Sequence, residues 1–540
     1  MKRRGFTLIE LLAVITILAL ILLIAVPIFL NVIKNSKETS KKDSVTLYGK
    51  SIENAIAAYY TKYPDKNEVT LQQLKQEELL EYKGKIVECE DVQILRRNVY
   101  LNNCKVGNKK VDASYGKYTP EPELTQGLTP VEYDGENWKV VSPNTEWYNY
   151  DEQKWANAVV LGNGVTKQVG DKVTVDGTNP EALMMLVWIP RYEYKIEGQY
   201  GKGGTSADLP GEIEVNFIGK NATTPTTGYH IHPAFNFDGA KNGFWVGKFE
   251  LSSVGENLTA TNNLGCNATS CTSDISKLRI LPNKTSLRYN NISNFFYAIR
   301  SIENTQSFGL NNIDTHMMKN SEWGAVAYLS QSKYGKYGNS DYDKQYKEVY
   351  QNKSSYITGS SNGTPSQSDY RSGGQCAYND MQDLGKDANN YKMGQCGPGA
   401  STTGNIYGVY DMSGGSYEYV MGAYGPEYPT ISSSGFNPDP NVFTSNTIES
   451  KYYDVYKTNN EATVCDNNGV CYGHGISEIK GSTTNKGWYG DSTYMVTSSS
   501  LWFVRGGNCV NNTGAGVFYR YDYSGDSIIS SSARFVGFGK

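Results

Sequence analysis

Apolar positions along the chain fall first in one unbroken block and then in short, scattered patterns. From Leu11 to Val32 there is no charged residue, and a helix of that length spans the hydrocarbon core of a bilayer. Pro27 inside it is tolerable and would kink it. Beyond the block, Ile33, Val45, Tyr48, Ile52, Ile56, Ala57 and Tyr60 recur at helical steps, which predicts an amphipathic helix ending near Tyr63–Pro64. Between Asp65 and Gly116, the alternating stretches Lys85–Cys89 and Val92–Tyr100 read as strands. The run Tyr118-Thr-Pro-Glu-Pro-Glu123 reads as a linker, and residues 118–182 as linker plus short β structure. From Leu183 to Lys540 the chain is Gly-rich and irregular. Strand-like patches at Met185–Ile189 and Phe244–Phe249 alternate there with long polar loops. Thr315–Ser330 carries the best helix signal. There is no internal repeat of roughly 20–50 residues.

The residues ahead of the apolar block change this picture. Lys2, Arg3 and Arg4 precede Gly5 and Phe6, Glu10 follows, and Pro27 lies further on. This arrangement resembles the class III signal of type IV prepilins and pseudopilins. The resemblance implies that a prepilin peptidase cuts after Gly5 and that the new amine of Phe6 is methylated. It also implies that Glu10 pairs with a Phe6 amine during lateral assembly with other pilin subunits. Elementary physics points the same way. The basic leader stays cytoplasmic, so the rest of the chain faces outward. A carboxylate near hydrocarbon costs roughly 2.5–3.5 kcal/mol and wants a partner. No small-residue cleavage site follows the apolar run, as a cleaved secretory peptide would require.

At 540 residues the chain is long enough for two to four domains. Its net charge of −4 gives no basic field for nucleic acid, and none is expected as a partner. Tyr outnumbers Phe 42 to 16, and Gly reaches 55. Such composition suits a recognition face, because Tyr offers large contact area at low entropy cost. It equally suits an extracellular β-rich protein with many turns. Eight of the nine cysteines are near neighbours: Cys89 with Cys104, Cys266 with Cys271, Cys376 with Cys396, Cys465 with Cys471. Their spacing suggests four loop-closing disulfides in an oxidising setting, with Cys509 left over. No pair has C-x-x-C spacing, which argues against a zinc ribbon or a thioredoxin-type site.

Four segments of the distal region together resemble the formylglycine-generating (sulfatase-modifying) enzyme family, whose fold is a C-type-lectin-like variant. They are Val187-Trp-Ile-Pro190 with Gly243-Phe-Trp-Val-Gly-Lys-Phe-Glu250; Asn320-Ser-Glu-Trp323; Gly404 to Gly415 with Tyr417-Glu-Tyr-Val420; and Phe503-Val-Arg-Gly-Gly507 with Arg534-Phe535 and Gly537-Phe538. The family's copper and oxygen chemistry needs two thiolates after the Arg-Gly-Gly segment. Here Asn511 and Gly516 stand near those places, and Cys509 is alone. One thiol cannot supply a two-thiolate copper site, and fold alone does not confer activity, so no catalytic residue is assigned.

The same fold serves the variable proteins of diversity-generating retroelements, whose C-terminal segment displays ligand-binding residues. By that resemblance the segment 503–538 is the binding face. Asn508, Cys509, Asn511, Asn512, Tyr519, Arg520, Tyr521, Asp522, Tyr523 and Asp526 are its candidate ligand contacts, and Gly506, Gly507, Gly514, Gly516 and Phe518 its scaffold. Asn, Tyr, Ser, Asp and Cys are what adenine-directed mutation of Asn codons would yield. An ordinary β-hairpin with polar turns remains an open reading of the same residues.

His230 and His232 share a strand face, but zinc would need ligands that the sequence does not name. Asp341, Asp343 and Asp380 lie in polar loops of a kind that can hold calcium. No EF-hand frame is present, and neither calcium nor any other cofactor is assigned ligands. Asp411 and Glu418 read as loop-holding carboxylates. The expected fold is therefore α+β: a leader (1–5), a pilin helix (6–63), a small β region (64–117), a linker with short strands (118–182) and a large C-type-lectin-like domain (183–540). The expected protein is a pilus-like surface subunit, single-pass in the cytoplasmic membrane before assembly. Its distal domain binds an extracellular protein or glycan and is not an enzyme. The competing readings are a structural tip of a secretion or DNA-uptake machine and a membrane-tethered formylglycine-generating-type oxidase.

Overall fold

The computed structural model describes residues 8–540 apart from 64–65, 67–68, 96–97, 112, 114, 117, 198–208, 255–262, 268–269, 350–376, 426–447, 457–471, 482–484, 510 and 512–513; for residues 8–33 it describes the backbone alone. The chain divides into two units, Met1–Tyr118 and Thr119–Lys540.

In the first unit, α1 (Leu8–Lys62) runs unbroken through Pro27. Val45, Tyr48, Ile52, Ala55, Ile56 and Tyr59 are all buried on one face. Tyr60 packs half-buried at the edge of this face beside the buried Tyr59, and Ala57 faces outward, because the helical period carries 57 off the stripe. α2 (Leu71–Gln76) starts at Thr70, whose side chain accepts the Gln73 N–H. The stripe of α1 packs on β1 (Val87–Leu95) and β2 (Asn98–Val106), with the short β3 (Lys109–Lys110) beside β2. The strand expected at Val92–Tyr100 is in fact two strands. The chain reverses so that Leu95 pairs with Asn98 and Cys89 faces Cys104, to which it is disulfide-bonded. Among the described residues no helix is long and apolar enough to cross a membrane. The side chains of the apolar block, and Gly5 and Phe6, lie outside the description.

The second unit is mixed α+β and mostly β. It opens with β4 (Leu128–Tyr133), β5 (Trp138–Val140), β6 (Asn157–Leu161), β7 (Lys172–Val173) and β8 (Ala182–Pro190). The short strands expected in 118–182 are present, but β4 to β7 supply four of the eight strands of the main sheet, so the boundary expected at 183 falls inside that sheet. They are short and turn-rich, and their edge closes on β8, every residue of which is buried. β9 (Tyr192–Lys195), β10 (Glu214–Phe217) and β11 (His230–Ile231) form a small sheet with β9 central. Next come β12 (Gly243–Gly247), the paired β13 (Ser252–Ser253) and β14 (Leu278–Arg279), α3 (Ile292–Ile302), β15 (Ile313–Met317) and α4 (Asn320–Ser330). The helix expected from Thr315 thus begins five residues later. Ile313–Met317 pairs along its whole length with the final strand, and the Glu322 carboxylate accepts the Lys319 N–H at 2.7 Å to start α4. The unit closes with β16 (Tyr417–Tyr424), β17 (Asp454–Tyr456), β18 (Trp502–Arg505), β19 (Arg520–Tyr523), β20 (Ser531–Ala533) and β21 (Phe535–Gly539).

The main sheet runs β15-β21-β12-β8-β6-β4-β5-β7, which ties the C-terminal strand to the middle of the chain. A second sheet runs β17-β16-β18-β19, with β20 also paired to β16. Cys266 and Cys271 are bonded. Cys396 is disulfide-bonded as well, while Cys376, Cys465 and Cys471 lie outside the described residues.

Candidate functional site

Three of the four distal segments meet around buried charges. The Lys248 ammonium is fully buried and donates to Asn157 Oδ1 at 2.8 Å and to the carbonyls of Ile406 (2.7 Å) and Gly408 (2.9 Å). Two residues on, Glu250 accepts the Ser416 N–H at 2.8 Å. Arg534 grips both carboxylate oxygens of Glu418 and donates to the Gly247 and Tyr410 carbonyls. Glu418 therefore holds loops, as its sequence context implied. Asp411 sits in the left-handed region (φ 63°), and among the described residues neither of its buried oxygens has a hydrogen-bond partner, so the loop-holding role expected of it is not seen. Burial and neighbouring carboxylates push Asp411 well up and Glu250 up to about 8. Every one of these groups is buried, and together they tie β6, β12, β16 and the Gly404–Gly415 loop to the Arg534 link between β20 and β21.

The remaining segment, Asn320–Trp323, positions the tail. The Trp323 ring lies under Gly506 (φ 80°), where a Cβ would stand 3.2 Å from it, and its indole N–H donates to Val517 O at 2.8 Å. The Gly506 carbonyl accepts from both Gly414 and Gly516. The Asp491 carboxylate lies against Gly516 and accepts the Phe518 N–H at 2.9 Å.

On this base β19 pairs antiparallel with β18, Arg520 opposite Arg505 and Tyr523 opposite Trp502. The two-residue strand period separates the tail's candidates. Tyr519, Tyr521 and Tyr523 share one face, with successive ring centroids 6.4 and 5.7 Å apart. Tyr417 of β16 joins them, 5.9 Å from Tyr519 and 5.7 Å from Tyr523, and the Tyr494 ring lies tilted against Tyr521 at 4.6 Å. Five tyrosines thus form a continuous stripe. Tyr519 and Tyr417 are its buried base, Tyr521 and Tyr523 are half-buried, and Tyr494 is 38% exposed. Burial, with Tyr417 hydrogen-bonded alongside, raises the Tyr523 hydroxyl to about 12 and Tyr519 further. Tyr417 and Tyr494 fall outside the residues chosen from the sequence. Tyr417 lies inside one recognised segment and Tyr494 ahead of another, but only the fold brings them to β19.

Several of the proposed ligand contacts are corrected by their burial. Arg520 points inward, fully buried, and donates to the carbonyls of Gly475 and Ile476. Arg505 beside it also donates to Gly475 O, and burial together with Arg520 lowers it to about 9. Asp522 lies on the same inner side, half-buried, where burial raises its carboxyl and Ser500 and Thr497 bond it. Asn508 and Cys509 are buried in the turn after Gly507. Asn511 Oδ1 accepts the Asn508 N–H at 2.8 Å, and Cys509 N–H donates to Gly415 O. These residues shape the turn rather than its surface. Asp526 is exposed and accepts from the Ser524 hydroxyl at 2.6 Å. Asn512 lies outside the described residues.

His230 stacks on Tyr472 at 3.8 Å, and His232 is buried among aromatic rings. Asp380 accepts the Gln382 N–H of its own loop, and Asp343 accepts the Lys392 N–H from a loop far along the chain. Among the described residues no group of three His, Cys, Asp or Glu side chains is placed to hold a metal.

A unit of mostly β structure presenting an aromatic stripe, behind an N-terminal helix, is the class of molecule defined so far. Residues 1–26 match the prokaryotic N-terminal methylation motif, so the chain carries a prepilin-type signal. Similar solved structures are the Major Tropism Determinant I1 variant (12% identity, 85% of this chain and 83% of that chain covered, TM-score 0.24) and the U1 variant (12%, 84% and 82%, 0.24). The P3c variant is similar at 12%, 85% and 83%, with a TM-score of 0.23. At these values the likeness carries no argument. A comparison with curated proteins gives no match.

Proposed function

We propose that the chain is a type IV pilus-like surface subunit that displays a C-type-lectin-like binding domain. Its methylation motif supports processing by a prepilin peptidase and assembly with other pilin subunits. The apolar block then anchors the precursor in the cytoplasmic membrane, with the distal unit outside. The observation that supports recognition most is the tyrosine stripe on β19. Tyr494, Tyr521 and Tyr523 offer flat, rigid, amphipathic area, and the buried Tyr417 and Tyr519 hold them in place. Rigid aromatic anchors on a fixed scaffold are how binding energy concentrates in a few residues. The partner is an extracellular protein or glycan, and the reading requires no catalysis, copper or calcium.

Two measurements test it. Glu10→Ala should remove the subunit from sheared filaments, and its undiminished presence there would end the assembly role. Binding to an array of glycans and surface proteins should fall at least tenfold when Tyr494, Tyr521 and Tyr523 are replaced by Ala, since each anchor contributes about 2 kcal/mol. Undiminished binding would move the site off the stripe.

A further inference from the structure

The stretch of α1 just beyond the apolar block is basic and uncovered. Lys34, Lys37, Lys41 and Lys42 follow Val32 closely and are opposed only by Glu38 and Asp43, so this stretch is positive in a chain whose net charge is −4. α1 runs through it without a break. Lys34, Lys37 and Lys42 are exposed, and Lys41 is half-buried. Among the described residues none of the four makes an ion pair. The first buried residue after them is Val45, so the core of the unit begins only beyond this stretch.

Position gives these charges a partner. A helical rise of 1.5 Å per residue puts Lys34, Lys37, Lys41 and Lys42 about 3, 8, 14 and 15 Å past the end of the block. The headgroup layer of one leaflet is about 5–8 Å deep. Lys34 and Lys37 therefore stand among the headgroups. Lys41 and Lys42 lie within about one Debye length, ~8 Å, of the outer edge of that layer. Lys34, Lys37 and Lys41 also share a helix face, at steps of three and four residues. Positive residues on the exit side oppose Lys2, Arg3 and Arg4 in setting orientation, so they are adverse to insertion unless negative charge waits there. Headgroup phosphates lie at that level from the moment the chain is inserted.

We propose that the four lysines form a collar that binds the phosphates of anionic phospholipids in the outer leaflet of the cytoplasmic membrane. The inference rests on the membrane-anchored reading of the apolar block and is independent of the tyrosine stripe. Basic residues beside a membrane helix draw anionic lipid through such contacts.

The test reconstitutes the full-length protein into phosphatidylcholine vesicles with a trace of spin-labelled phosphatidylglycerol or spin-labelled phosphatidylcholine. The fraction of each label immobilised at the protein gives the preference for the anionic lipid. Lys34→Gln, Lys37→Gln, Lys41→Gln and Lys42→Gln together should lower that preference roughly threefold or more. The same four positions changed to Arg should keep it. Flotation of the parent in alkaline carbonate tests the anchor itself. A parent that fails to float overturns the anchor and the collar together. A parent that floats, with the preference unchanged in the Gln variant or lost equally in the Arg variant, overturns the collar alone.

Discussion

Replacing Glu250 by Gln should stabilise the protein at pH 8 and change little at pH 5. Glu250 is fully buried, and its pKa is raised from 4.5 to about 8 by burial first and by the Glu418 carboxylate second. The folded state therefore binds this proton more tightly than the unfolded chain. Between about pH 4.5 and pH 8 the unfolded chain has released the proton and the folded protein still holds it. Stability is thus fully present below 4.5, falls as pH rises through that window and levels off above 8. At about 1.4 kcal/mol per pH unit the loss has a ceiling of about 5 kcal/mol. Asp411 is pushed up in the same buried environment, so the two carboxyls titrate together and Glu250 alone carries less than that ceiling. Gln keeps the shape and the acceptor for the Ser416 N–H but has no proton to lose. Urea unfolding of parent and variant at pH 5, 6.5 and 8 reads the difference, in which titration elsewhere cancels. A variant destabilised equally at all three values, or a gap that narrows as pH rises, would refute the reasoning.

Gly516→Ala should destabilise the distal unit by about 1–3 kcal/mol, because the new Cβ would stand 2.0 Å from the Asp491 carboxylate oxygens; an unchanged thermal midpoint would contradict that packing. Cys89→Ser with Cys104→Ser should destabilise the N-terminal unit by about 3 kcal/mol, the loop-entropy value for a 15-residue closure. Hydrogen exchange along β1 and β2 should report that loss while the distal unit keeps its protection.

The sequence revealed most where signals were local. The buried face of α1 is written in Val45, Tyr48, Ile52 and Ile56, and the β1–β2 disulfide in the spacing of its cysteines. The distal segments announced a shared core, and Lys248, Glu250, Glu418 and Arg534 do converge there. Where partners lie far apart in sequence, the reading failed. β4 to β7 are short and polar at their turns, and only pairing through β6 with β8 makes them a sheet. α3 was missed because Asn291, Ser293 and Asn294 dilute the apolar pattern, although Phe295, Ile299 and Ile302 sit at helical spacing and Asn291 is its N-cap. Arg520 was misplaced for an avoidable reason. Tyrosines at 519, 521 and 523 on one face already put residue 520 on the other.

That alternation gives β19 two tolerances to change. Positions 521 and 523 touch solvent and other tyrosines, so exchanging side chains there gives up ring contacts and the Tyr523–Tyr417 hydrogen bond but no buried charge. Position 520 carries a buried guanidinium beside Arg505, and few residues could replace it. A library randomised at 521 and 523 would therefore return folded proteins of differing surface chemistry, while one randomised at 520 would return mostly unfolded ones.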